Sequence, residues 1–98
     1  MASIKTVLRK TKLKNKKYPI ALRVTKDRKS KFFKTPYEAL LNEWDSSQGR
    51  FNKRNSHFLK ANRLLGRIED RALETLSELE MTQDYYDLND FEDKFRVQ

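Results

Sequence analysis

The side chains with most chemistry to offer here are cations, crowded into the first third of the chain. Residues 1–34 carry 13 Lys or Arg against one acid, Asp27. Arg9 and Arg23 stand in alternating, β-branched stretches, "SIKTVLRK" (3–10) and "YPIALRVT" (18–25). A guanidinium held in a strand is a rigid fork of N–H donors, suited to phosphate oxygens or the edge of guanine; a lysine ammonium is a point charge suited to phosphate. Bond-making chemistry is not spelled. There is no cysteine, His57 is the single histidine, and the only glycines are Gly49 and Gly66. That leaves no thiol nucleophile, no metal cluster and no glycine-rich phosphate loop. The acids Asp84, Asp87, Asp90, Glu92 and Asp93 form a solvated run without an apolar wall to shift a pKa. The expectation is no catalytic residue, no cofactor and no metal, with His57 a structural or surface residue.

The charge has a direction. Residues 35–68 carry six cations against three acids, and residues 69–98 carry three against ten, within a net charge of +8. A positive end of this strength concentrates polyanions, nucleic acid before anionic membrane. The longest apolar runs are three residues, Ile20–Leu22 and Ala39–Leu41, so nothing in the sequence spans a bilayer. Lysine and arginine interrupt every secretory h-region near the start. The acid-free N-terminus is compatible in composition with a mitochondrial presequence, but its alternation and the Tyr18-Pro19 break favour a strand pair. With 37% apolar and 37% charged residues, the 98-residue chain predicts one small domain with a thin core.

The elements that must position the cations follow from periodicity. Strands are predicted over 3–10, 19–26 and 31–35, joined by a lysine-rich loop and a short turn, "DRKS" (27–30), in which Asp27 and Ser30 bond their own backbone. From 36 to 55 the pattern is irregular: "PYEALLNEW" suits a turn or two of helix, "DSSQGR" is a turn, and Trp44 plugs the edge of the core. A helix capped by Ser56 runs to about Glu80. Its stripe of Phe58, Ala61, Leu65, Ile68, Ala72, Leu76 and Leu79 faces inward. At roughly 37 Å this helix outruns the sheet, so Ala72, Leu76 and Leu79 need another cover, such as a second protomer or another domain. Its early cations and late acids oppose the helix dipole. Residues 81–98 read as a linker and a new start: Asn89 with Glu92 resembles a capping box, and Phe91 and Phe95 sit four apart. Either the chain folds back there, or a further domain opens. The fold class is α+β, a three-stranded antiparallel meander packed against one long C-terminal helix.

If Ile4, Leu8, Ile20, Leu22 and Val24 face the helix, then Lys5, Val7, Arg9, Ala21, Arg23 and Thr25 share a face with no second cover. Strands fit the B-DNA major groove, where arginine pairs with guanine in bidentate fashion. Ala21 and Thr25 are small enough to let the backbone approach and touch a thymine methyl. Lys12, Lys14, Lys16 and Lys17, with Arg28 and Lys29, lie on flanking loops placed for phosphates. Lys26, Lys31 and Lys34 complete the candidate DNA contacts. Spacing leaves open which of Phe32 and Phe33 points inward. RNA is the alternative polyanion, although sheets that bind RNA display several aromatics.

The stretches "ASIKTVLRKTKLKNKKYPIALRVTKDRKSKFFKTP" and "EWDSSQGRF" resemble the N-terminal arm-type DNA-binding domain of tyrosine recombinases, the integrases of phages and conjugative transposons, in their Bacteroidetes-type form. The likeness covers roughly residues 2–80. Its most specific pieces are "LR" at 8–9, "YPIALRVT" at 18–25, "RKSKFF" at 28–33 and "EWDSSQGRF" at 43–51. It departs at Thr35-Pro36, where Thr-Gly is usual, and at "YEALLN". "DLNDFEDKF" at 87–95 is similar to the start of the core-binding domain that follows in such integrases. The resemblance implies an arm-type domain over 1–80, then a linker and a truncated core-binding (SAM-like) domain over 81–98. It implies a sheet docked in the major groove of arm-type sites, with Arg9, Arg23, Lys5 and Thr25 as contacts. The catalytic residues of such a recombinase lie in a separate domain, so none is carried over. Implied partners are double-stranded DNA and other integrase domains or protomers, the latter through the late half of the long helix, in the bacterial cytoplasm and without a membrane.

Overall fold

Alternation in the sequence becomes an antiparallel meander of β1 (Ser3–Leu8), β2 (Tyr18–Lys26) and β3 (Lys29–Ala39), in the order β1-β2-β3. The structure, a computed structural model, describes residues 2–11 and 16–96. Pairing places Ile4 opposite Val24, Thr6 opposite Leu22 and Leu22 opposite Phe33, and this face packs on helix α1 (Phe58–Thr82). The fold is the expected α+β arrangement, with a second, shorter helix α2 (Leu88–Arg96) besides. Phe33 is the inward phenylalanine, 7% exposed, and Phe32 points away, 42% exposed.

The turn between β2 and β3 is tighter than the predicted 27–30. Only Asp27 and Arg28 form it, at φ 54° and 66°, with Lys26 paired to Lys29. Two residues at positive φ make a type I′ hairpin, whose twist matches that of its strands. Ser30 therefore belongs to β3, where its hydroxyl meets that of Thr25 at 2.8 Å, and Asp27 pairs with Lys26 at 2.9 Å.

β3 also runs past its predicted end at Thr35. Ala21 pairs with Lys34 and Pro19 with Glu38, so a two-residue step on β2 faces a four-residue step on β3. Pro36, which has no N–H for a ladder, falls inside this bulge. The Thr35 hydroxyl donates to the Ile20 carbonyl at 2.7 Å and accepts the Tyr37 N–H at 3.2 Å. Thr-Pro thus suits this bulge.

The segment after β3 is not the predicted stretch of helix. One 3-10 turn (Leu41–Glu43) leads into a hairpin of β4 (Trp44–Asp45) and β5 (Arg50–Phe51). Trp44 packs on the core edge as expected, its ring 5.3 Å from that of Phe51. The Asn62 side chain stands in for a strand partner, accepting the Phe51 N–H at 2.8 Å and donating to the Phe51 carbonyl at 3.0 Å. Gly49 closes the hairpin at φ 65°, where an added Cβ would lie 2.8 Å from the Thr6 carbonyl oxygen. Gly49→Ala is expected to lose about 2 kcal/mol of stability through backbone strain and this contact. Gly66, in α1, has room for a Cβ, so Gly66→Ala should be neutral or stabilising by up to about 1 kcal/mol. Thermal denaturation of both variants checks the contrast.

Ser56 does not cap α1. The N-cap is His57, with no capping side chain; the Asn55 carboxamide oxygen accepts the His57 N–H at 2.8 Å instead. At the other end the chain folds back. Ala72, Leu76 and Leu79 are buried with Val24, Leu88 and Phe91 in one cluster, so α2 covers the stripe that seemed to need an outside partner. The returning chain also answers the late acids of α1: Lys94 pairs with Glu78 at 2.8 Å, and the Tyr86 hydroxyl donates to Glu80 at 3.1 Å. Burial and that carboxylate push the Tyr86 phenol up to about 12.

Candidate nucleic-acid interface

The strand register arranges the uncovered face in three rows. They are Ser3–Thr25–Ser30, Lys5–Arg23–Phe32 and Val7–Ala21–Lys34, each reading β1, β2, β3. Directly opposed Cβ atoms sit about 5 Å apart, so each row is a continuous strip of side chains. None of the three contains a carboxylate; Glu38, opposite Pro19, stands one row further on. Lys5 and Lys34 are exposed, and Arg23 and Thr25 half-buried.

Arg9 lies just beyond β1, yet its backbone N–H still donates to the Pro19 carbonyl at 2.8 Å. Its guanidinium carbon sits 3.9 Å from the centre of the Phe32 ring. A shallow concavity on this side is lined by Lys5, Val7, Arg9, Arg23 and Phe32 and extends past the edge of β1 to Trp44.

Ala21 does not behave as the sequence suggests. It is 2% exposed, so a partner cannot reach its methyl group. An alanine in the central strand, between longer side chains on both neighbours, is overshadowed by them.

Two predicted contacts are elsewhere. Lys31 pairs with Val24 in the ladder and so faces the helices, where its ammonium binds Asn89 at 2.7 Å and Glu92 at 2.6 Å. The bond from Lys31 holds the Glu92 carboxyl below the usual carboxylate range. Lys26 has the same parity; it pairs with Asp27 and lies 4.5 and 4.7 Å from the Tyr85 and Tyr86 rings. The acidic segment therefore meets the lysines behind the sheet, not the open face. Arg28 and Lys29 are exposed at the hairpin tip. Lys16 is exposed and Lys17 half-buried at the end of the β1–β2 connection, while Lys12 and Lys14 lie outside the described residues.

Phe32 is the open-face residue that spacing alone did not resolve. The signal lay in the turn: once two residues close the hairpin, Phe33 must oppose Leu22 and Phe32 must oppose Arg23. Behind the face, the carboxylate of Glu69 accepts two guanidinium N–H groups of Arg50, at 2.7 and 2.8 Å, and the hydroxyl of buried Thr6. This network ties β1, β5 and α1 together.

Among the described residues no helix is long and apolar enough to cross a membrane. Comparison with curated proteins and with solved structures finds no match. A family model does match, over residues 6–92, from β1 into α2, and its description is an arm DNA-binding domain, a non-catalytic module found in phage integrases. With nearly the whole fold inside that match, the chain belongs to the arm DNA-binding domain family.

Proposed function

We propose that the open face of the sheet enters the major groove of double-stranded DNA at arm-type sites, as the N-terminal module of a tyrosine recombinase that integrates and excises a bacterial mobile element in the cytoplasm. The observation that carries this reading is the three-row face: cations, hydroxyls and one aromatic on an uncovered sheet. Three strands about 4.8 Å apart span about 10 Å, against a groove about 12 Å wide. Arg23, central in the middle row, is the base-reading residue, with Lys5, Thr25 and Lys34 beside it. Lys16, Arg28 and Lys29 sit at the margins, where phosphates run. The acids of α1 and α2 lie behind the sheet, so the molecule's field turns the open face toward a polyanion.

Phe32 is the single aromatic in those rows, which favours duplex DNA over single-stranded RNA, whose recognition rests on stacking several bases. The assembly reading loses its feature, because Ala72, Leu76 and Leu79 are covered by α2. Tyr86, Leu88, Phe91 and Phe95 then serve this domain's core first, and the same segment is where a following core-binding domain would attach.

Selection from a duplex library with a randomised centre tests the reading. Arg23→Ala should cost about 1–3 kcal/mol on the enriched duplex and relax preference at one position. Lys16→Ala should weaken all duplexes alike and reduce the salt slope by about 1. Retention of both affinity and preference by Arg23→Ala would remove the sheet-face model.

A further inference from the structure

We propose that Phe32 is a positioning residue for sequence readout: it holds the Arg9 guanidinium in a bridge across the open face, and Ala21 is small because the bridge passes over it. The inference rests on the groove-docking reading above and deepens it.

The geometry is specific. Arg9 leaves β1 beside Pro19, with its backbone anchored to the Pro19 carbonyl at 2.8 Å. Phe32 lies on the far strand, β3, two rows away, opposite Arg23. The midpoint of that diagonal falls on the Val7–Ala21–Lys34 row, at Ala21, which is an outward residue of β2 yet only 2% exposed. The contact closes at 3.9 Å from guanidinium carbon to ring centre. A longer side chain at 21 would stand in its path.

A ring holds a guanidinium through its π face and consumes none of its N–H donors, so the fork stays available for base edges or phosphates. A free arginine loses rotamer freedom when it docks, whereas one already held has less to lose. Phe32 thereby converts a flexible cation into a pre-set one, next to the Lys5–Arg23 row.

The duplex enriched by the wild-type domain and a scrambled version of it are the probes. Phe32→Leu keeps the apolar bulk but removes the π face. It should weaken binding to the enriched duplex about fivefold and leave the scrambled duplex and the salt slope unchanged. Phe32→Trp should retain affinity. Ala21→Val, which leaves the Arg9 and Phe32 side chains themselves unchanged, should reproduce the Phe32→Leu loss, with thermal denaturation checking that it folds. In the free protein, proton–nitrogen NMR should find the Arg9 side-chain NH shifted by the ring current, and that shift should vanish in Phe32→Leu. No ring-dependent shift at Arg9 overturns the bridge. Wild-type affinity in both Phe32→Leu and Ala21→Val, while Arg23→Ala loses preference, overturns the positioning role and leaves the groove reading standing. A loss of equal size on every duplex overturns it too, because Phe32 would then act by stacking or packing alone. If the wild-type domain enriches no sequence, the groove reading falls, and the readout role of Phe32 falls with it.

Discussion

Phe91→Ala is expected to lower the free energy of unfolding by about 3–5 kcal/mol, the usual cost of emptying a fully buried aromatic site. Phe91 is 0% exposed. Its ring lies 5.5 Å from Phe33 and 5.1 Å from Phe95, and Leu22, Val24, Ala72 and Leu76 share its cluster. Against a total stability of about 5–15 kcal/mol, the loss would be large enough to unfold part of the population at physiological temperature. Urea denaturation is the measurement. The midpoint should fall in a single transition, by about 2 M for a domain of this size. Phe32→Ala, on the exposed side of β3, should shift stability by no more than about 0.5 kcal/mol. A main transition unchanged in Phe91→Ala would mean that α2 is an appendage and not part of the core.

Glu69→Ala should cost about 2–3 kcal/mol at neutral pH, less than a fully buried ion pair because the Glu69 and Arg50 side chains keep about a quarter of their exposure. The variant strips the Arg50 guanidinium of both its bonds to Glu69 and leaves the buried Thr6 hydroxyl without its acceptor. The pH dependence has a definite sign. The Arg50 hydrogen bonds first, and then Thr6, hold the Glu69 carboxyl below its ordinary value, against the opposing effect of burial. The folded pKa is therefore lower than the unfolded one of about 4.3. The stabilisation is intact above that value and drains away as pH falls through the folded pKa. Glu69→Gln should flatten this share of the acid limb while keeping part of the network, since its amide oxygen still accepts. Unfolding free energies at neutral pH and at about pH 3 decide it. An equal penalty for Glu69→Ala at both pH values would show that the carboxylate's charge is not what matters.

The return of the chain after α1 explains why two predicted contacts lie behind the sheet. Lys26 and Lys31 have the residue type and local sequence of DNA-binding lysines. What holds them behind the sheet is distant in sequence: Asn89 and Glu92, 58 and 61 positions away, for Lys31, and the Tyr85–Tyr86 pair for Lys26. No local pattern reports such pairing, because it depends on α2 folding back across the strand. The same return closed the exposed stripe of α1. Phe91 and Phe95 had the spacing of a helix face, yet a short helix carries no sign of which surface it will meet.

By itself the sequence determined the alternation that makes β1 and β2 two-faced, the apolar stripe of α1, the direction of the charge, and the motifs by which the family is recognised. Those signals are local or additive: side chains alternate along a strand, recur along a helix, and sum in a field. The tertiary structure decided the rest. An Asp-Arg turn at positive φ set which phenylalanine faces out, a bulge absorbed Pro36, and the chain returning after α1 met two lysines and covered a hydrophobic stripe. It also set Arg9 over Phe32 and left Ala21 buried on the outward face. These are matters of register and long-range packing, where a shift of one residue reverses every face, and the energy that selects among them comes from contacts the sequence does not place side by side.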